Sequence, residues 1–214
     1  MGDGRRPRQA GCPLSDSSLE GIIRRRRMTR RFATTPIEPA LLDHLLDTAR
    51  RAPSAGFSQG VHFLALTGEP LQRFWHTTEA VEWFESKGGG PLRAPVLVLP
   101  LADPTEYSAR YAEADKAGHG LDDAAHWPVP FWLTDTAMAV QNLLLLAEEA
   151  GLGALYFGIF RNARRALDEL GVPAHVLDVG AVALGYRAID DTPSGSPRSR
   201  TRRPASEVVH WQQW

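Results

Sequence analysis

PSAGFSQGVHFLALTG, from Pro53 to Gly68, sets a short loop of small and polar residues directly ahead of a run of β-branched and apolar ones. Inside it, Gly56-Phe57-Ser58-Gln59-Gly60 fits the G-x-S-x-G pattern of a nucleophile elbow. An elbow needs a strand running into a sharp turn and a helix leaving it, which lifts the serine above the sheet. Here the elements come in the opposite order. Upstream, Leu41, Leu42, Leu45, Leu46 and Ala49 share one face of a helix that follows Pro39 and is stopped by Pro53. Downstream, residues 61–67 read as a buried strand closed by Gly68 and Pro70. The loop is helix-to-strand, and Ser58 lacks the context of a nucleophile. Asp178 and His210 do follow in the Ser, Asp, His order, but so they would after most serines in a chain of this size.

Outward from that loop, helices and strands intermix. Ser17 and Glu20 have capping-box spacing and predict a short basic helix over 18–27. Residues 71–87 read as a helix ending at three glycines, 94–101 as a second core strand, and 132–150 as a long helix apolar on nearly every side. Two more strands are expected at 154–160 and 176–185, with a helix over 164–170 between them. Gly151-Leu152-Gly153 follows a helix, so it reads as a helix-ending turn, not a dinucleotide fingerprint. The polar stretch 103–130, with Tyr107, Tyr111 and Trp127 among charged residues, is expected to form a lid or pocket segment. There is no internal repeat, and the class is α+β or α/β.

With 214 residues and 43% hydrophobic content, one well-buried core is the expectation: a single domain over 17–214 behind a loose tail over 1–16. The tail carries charge without a following apolar segment, so neither a signal peptide nor a membrane anchor is expected. Polar residues interrupt the long helix, which argues against a membrane span. A single cysteine rules out an internal disulfide framework, and the cytoplasm is the natural compartment. Seven scattered histidines show no metal-ligand spacing. A formal net charge of −1 gives no global field for nucleic acid, and no basic recognition helix with a binding motif is evident.

Charge is instead local. Arg26-Arg27-Met28-Thr29-Arg30-Arg31-Phe32 packs four guanidinium groups into seven residues, and Arg198-Ser199-Arg200-Thr201-Arg202-Arg203-Pro204 repeats the density near the other end. Each alone reads as solvated basic surface. Two such clusters around one core suit a phosphate, because in an extended segment Arg200 and Arg202 fall on one side and planar forks grip phosphate bidentately.

The ordered set is specific: the first arginine cluster with Pro36-Ile37, a leucine-rich helix, Ala52-Pro53-Ser54-Ala55-Gly56 with Gln59, the Gly-Leu-Gly turn, Leu184-Gly185-Tyr186, and Arg-x-Arg-Arg-Pro before Val208-Val209-His210-Trp211. Over roughly residues 20 to 211 the chain resembles the FMN-dependent nitroreductase family. The resemblance implies an α+β fold, with a central, mostly antiparallel sheet flanked by helices, in an interlocked homodimer whose two flavin sites lie between the subunits. It puts Arg26, Arg27, Met28 and Arg30 near the FMN phosphate with Arg200 and Arg202. It puts Pro53, Ser54, Ala55, Phe57 and Gln59 against the cofactor from the partner chain, and Tyr156, Phe157, Gly158 and Ile159 along the isoalloxazine ring. Tyr107, Tyr111 and Trp127 would border a pocket for a small aromatic acceptor, Trp132 being as well suited to core packing, and Trp75 and Trp83 read as core or dimer contacts.

The implied activity is transfer of hydride equivalents from NAD(P)H to a nitroaromatic or quinone by a ping-pong cycle, with the chemistry carried by FMN and no side-chain acid or base. Two positions depart from the family: Met28 stands where Ser is common, and Phe57 where Asn is common, so two polar contacts to the cofactor are lost. A flavin-sequestering protein, or a specialised flavin enzyme such as a desaturase, dehalogenase or deazaflavin-linked reductase, is the alternative.

Overall fold

Every residue of the strand Val96–Ala102 (β2) is buried, which is why its sequence is continuously apolar instead of alternating. The computed structural model describes residues 18–193 and 195–214; the expected tail over 1–16 and the capping Ser17 lie outside the described residues. β2 pairs antiparallel with Val61–Leu66 (β1), from Val61 opposite Ala102 to Leu66 opposite Leu97. On its other side it pairs antiparallel with Ala181–Gly185 (β5), which in turn pairs antiparallel with Gly153–Phe157 (β3). The sheet runs β1-β2-β5-β3, with the two-residue β4 (Leu177–Asp178) on the end of β2. All strand pairs are antiparallel, so of the two expected classes the fold is α+β.

Side-chain alternation along β2 divides the core in two. Val96 and Val98 face the helices α2 (Pro39–Ala49) and α6 (Phe131–Glu149), meeting Leu45, Val140, Leu143 and Leu144. Leu97, Leu99 and Leu101 face the other way, toward α3 (Gly68–Thr77), α4 (Ala80–Glu85) and α7 (Ala163–Glu169), where Phe74, Trp75, Phe84 and Leu167 close the layer. The helix α1 (Leu19–Arg25) is capped by Ser18, whose Oγ accepts from the Gly21 N–H at 3.0 Å.

Three elements differ from the sequence expectation. The helix over 71–87 is two: α3 ends where the buried Thr78 hydroxyl donates to the Phe74 carbonyl at 2.8 Å, and Glu79 then turns left-handed at φ 54° before α4 starts. The strand over 176–185 is split at Gly180, whose φ is 83°; a Cβ there would lie 2.6 Å from the Phe157 carbonyl oxygen, so only glycine lets this turn press on the end of β3. In the polar stretch, residues Pro104–Ala112 (α5) are helical behind an Asp103 cap, and a short helical turn follows at Ala124–His126. Among the described residues, no helix is long and apolar enough to cross a membrane.

Candidate functional site

The arginines of the first cluster and its approach are sorted by carboxylates, of which Glu148 and Asp191 are buried and Asp190 is exposed. Arg25 reaches Glu148, which also holds Arg187, and Arg31 reaches Asp190 at 2.7 Å. Arg27 pairs with the buried Asp191 carboxylate and donates to the Asp191 carbonyl at 2.9 Å. That same carboxylate accepts the main-chain N–H groups of Arg30 and Arg31, each at 3.0 Å. Arg27, expected near the cofactor phosphate, is therefore directed to Asp191. Met28 is also turned away: its Sδ accepts from the Tyr156 N–H at 3.4 Å, and its chain bridges β3 at Ala154. Arg30 alone of these residues borders a cleft.

The cleft measures about 940 Å³ and opens between the end of β3, the α3–α4 break and the start of the C-terminal segment at Gly195. Tyr156, Phe157, Gly158 and Ile159 line one wall, Trp83, Phe84 and Lys87 the other, and Arg30 stands at the Gly195 end, where a Cβ on Gly195 would lie 3.0 Å from Arg30 Nη2. Beneath the wall, Trp75 stacks on Phe157 with centroids 5.8 Å apart and meets Phe84 edge-on at 5.6 Å, a packed aromatic floor that fixes the end of β3. The Tyr156 hydroxyl donates to the Val179 carbonyl at 2.7 Å, and burial, then the nearby Asp178, push its pKa up, so it stays protonated. At the mouth, Arg161 binds Glu79 at 2.7 Å while Asn162 donates to Glu79 at 3.1 Å and to the Thr77 carbonyl at 2.9 Å. The hydrogen bond from Arg161, with that from Asn162, holds the Glu79 carboxyl below the usual glutamate value.

The loop carrying Pro53, Ser54, Ala55, Phe57 and Gln59 does not border this cleft; it packs on α5 and α6. Ser58 is buried there, with Oγ donating to the Ala55 carbonyl at 2.6 Å, a loop-stabilising role. Phe57 stands 73% exposed. Tyr107 has no solvent-facing surface and offers no face to a stacked acceptor within the protomer; its hydroxyl donates to Asp135 at 2.9 Å. Tyr111 meets Trp127 edge-on at 4.7 Å, and Trp127 anchors its own segment by donating from Nε1 to the Leu121 carbonyl at 2.7 Å. Arg200 and Arg202 are exposed and border no part of the cleft in the protomer, and neither does Arg26.

Sequence reasoning missed the α4 wall. Trp75 is core, as expected, but Trp83 is 61% exposed and borders the cleft. No clear mark of it stands in the sequence: α3 ends at Thr77 and Glu79 turns left-handed before α4, while helical periodicity runs on through Trp75 and Trp83. Asp135 and Asp191 were missed as well, because isolated acids in sequence carry no mark of their burial. No group of three or more His, Cys, Asp or Glu side chains placed to hold a metal ion occurs among the described residues.

The chain has relatives in sequence and in fold. The oxygen-insensitive NADPH nitroreductase of Salmonella typhimurium is 40% identical over 203 residues, covering 88% of this chain and 71% of that protein. Among solved structures, nitroreductase A from Vibrio parahaemolyticus superposes with a TM-score of 0.69 at 24% identity, covering 94% of this chain and 78% of that one. A Desulfovibrio desulfuricans structure, described as a nitroreductase in complex with FMN, gives 0.66 at 22% identity over 92% of this chain and 97% of its own. The profile of the nitroreductase family matches residues 23–186, spanning the arginine cluster, the helix-to-strand loop, all five strands and every cleft-lining residue but Gly195, and the chain belongs to that family.

Proposed function

We propose that the chain is an FMN-dependent oxidoreductase that passes hydride equivalents from NAD(P)H to a flat aromatic acceptor, a nitroaromatic or a quinone, in a ping-pong cycle. One observation carries the reading: a cleft of about 940 Å³ with a guanidinium at one end and the β3 backbone over an aromatic floor along one side. That size is at the upper end of the range for cofactor sites, and its mixture of apolar walls with a few polar groups suits an amphiphilic ring carrying a phosphate. Family membership, with NADPH named for the Salmonella relative and FMN for the Desulfovibrio structure, supports the same cofactors here.

Arg30 would meet the phosphate, joined by Arg26, Arg200 and Arg202, because a dianion requires several cations or amide donors. Tyr156, Phe157, Gly158 and Ile159 would follow the ring, Gly158 letting the backbone come close. Phe57 and Gln59 cannot serve the cleft of their own protomer, so the bed they form belongs to a second copy of the chain. The exposed Phe57, Trp211 and Trp214 supply apolar surface for that homodimer. When bound, FMN would supply the two-electron, hydride-level chemistry that links NAD(P)H to the acceptor. The chain positions both reactants and keeps water from the face they share, with Tyr111 and Trp127 bordering the acceptor from a lid over 103–130. The compartment proposed is the cytoplasm.

A second reading, a flavin-sequestering protein, draws on Met28 and Phe57, neither of which offers a hydroxyl or amide to the cofactor. Anaerobic titration separates the two. Purified protein reconstituted with FMN should bleach on addition of NADPH or NADH and recover its colour on addition of p-benzoquinone, with parallel double-reciprocal plots in steady state. Bound flavin that neither nicotinamide reduces would establish sequestration, and protein that takes up no FMN would overturn both readings.

A further inference from the structure

The loop after α2 holds a backbone that side-chain-bearing residues avoid: Gly56, Phe57 and Gln59 have φ of 61°, 60° and 57°. Two non-glycine residues in the left-handed region within three positions persist only where the surroundings over-determine them. What surrounds this loop is a pair of opposite charges. Asp135, one turn into α6 and 2% exposed, accepts from the Ala55 N–H at 2.8 Å and from the Tyr107 hydroxyl at 2.9 Å, both through Oδ2. Its Oδ1 accepts from the Thr134 hydroxyl at 3.3 Å, and no ion pair to it occurs among the described residues. On the other side, Arg110 donates from Nε to the Gly56 carbonyl at 2.8 Å while its fork rests on Asp115 through two contacts of 2.7 Å. An anion thus grips an N–H and a cation grips a C=O within two residues of each other.

We propose that Asp135 is a positioning residue for the cofactor: with Arg110 it clamps the left-handed loop so that Phe57 and Gln59 project, preformed, into the flavin site of the partner protomer. The proposal rests on the reading of this loop as part of the FMN bed. A carboxylate buried with only neutral donors is costly to keep, and replacing it by an apolar residue would be tolerated if the site served packing alone. Its donors are fixed: Tyr107 is fully buried, and burial together with the bond to Asp135 raises its pKa, so the hydroxyl remains protonated throughout the working range. The clamp lowers the ordering that FMN binding must otherwise impose on the loop.

Four variants test it, read by FMN dissociation constant, visible circular dichroism of the bound flavin and apoprotein melting. Asp135→Asn keeps an acceptor oxygen for both donors and should hold FMN within about threefold of wild type, with its dichroism preserved. Asp135→Ala frees the Ala55 N–H and should weaken FMN about tenfold or more with altered dichroism. Arg110→Ala, a partly exposed change that tests the carbonyl side should Asp135→Ala fold poorly, should weaken FMN by about three- to tenfold. Folded Asp135→Ala or Arg110→Ala protein with wild-type FMN affinity and dichroism overturns the clamp, as does Asp135→Asn behaving like Asp135→Ala. Gln59→Ala separates the premise: unchanged flavin affinity and spectrum in that variant refute the loop as a bed, whereas a weakened Gln59→Ala beside an unaffected Asp135→Ala refutes the clamp alone.

Discussion

At the scale of single residues, the arginine cluster is informative because it is unevenly employed. Asp191 gathers the Arg27 guanidinium and the amides of Arg30 and Arg31 on one buried carboxylate, and so sets the path of the segment that delivers Arg30 to the cleft. Replacing Asp191 with Ala strands a partly buried cation and two amides at once. Urea unfolding should record a loss of about 2 to 4 kcal/mol, and FMN affinity should fall with it because Arg30 loses its anchor. Sequence spacing located the cluster but could not rank its members, since the sorting carboxylates lie more than a hundred residues away in the chain.

At the scale of elements, the α3–α4 break makes the cleft wall. Two left-handed residues, Glu79 at φ 54° and Asn162 at φ 50°, face each other across the mouth and are tied by a hydrogen bond, with Arg161 completing the latch. The Glu79 carboxyl is held below its ordinary value of 4.5, chiefly by the Arg161 hydrogen bond. A depressed folded-state value means that the latch stabilises the fold in full above the unfolded value and is lost as pH falls through the lower, folded one. Melting temperatures of wild type and Glu79→Gln should therefore differ at pH 7, with wild type higher, and converge as pH drops below about 4.5 toward the folded value. The strands β1 and β2 and the helix α6 were legible because apolar runs and punctuating Gly and Pro declare them, whereas their antiparallel pairing was expected only from the family resemblance. The break was not legible, because helical periodicity continues through Trp75 and Trp83 and only the buried Thr78 hydroxyl and the turn at Glu79 end it.

At the scale of the whole molecule, the residues expected around one cofactor fall into separate groups on one chain. Arg30 and the stretch from Tyr156 to Ile159 share the cleft, the loop from Pro53 to Gln59 rests on α5 and α6, and Arg200 and Arg202 are exposed. A linear sequence lists all of them without saying which copy serves which site. That division has a genetic consequence in the proposed dimer. A chain disabled by Arg30→Ala and another disabled by Gln59→Ala are each deficient in both of their own homodimers' sites. Co-expressed, they should form mixed pairs in which one site collects both lesions and the other collects none. Purified by two different affinity tags, such hybrids should regain about half of the wild-type turnover per dimer, on the arithmetic of symmetric assembly, while an equal mixture of the two parents left unexchanged regains nothing.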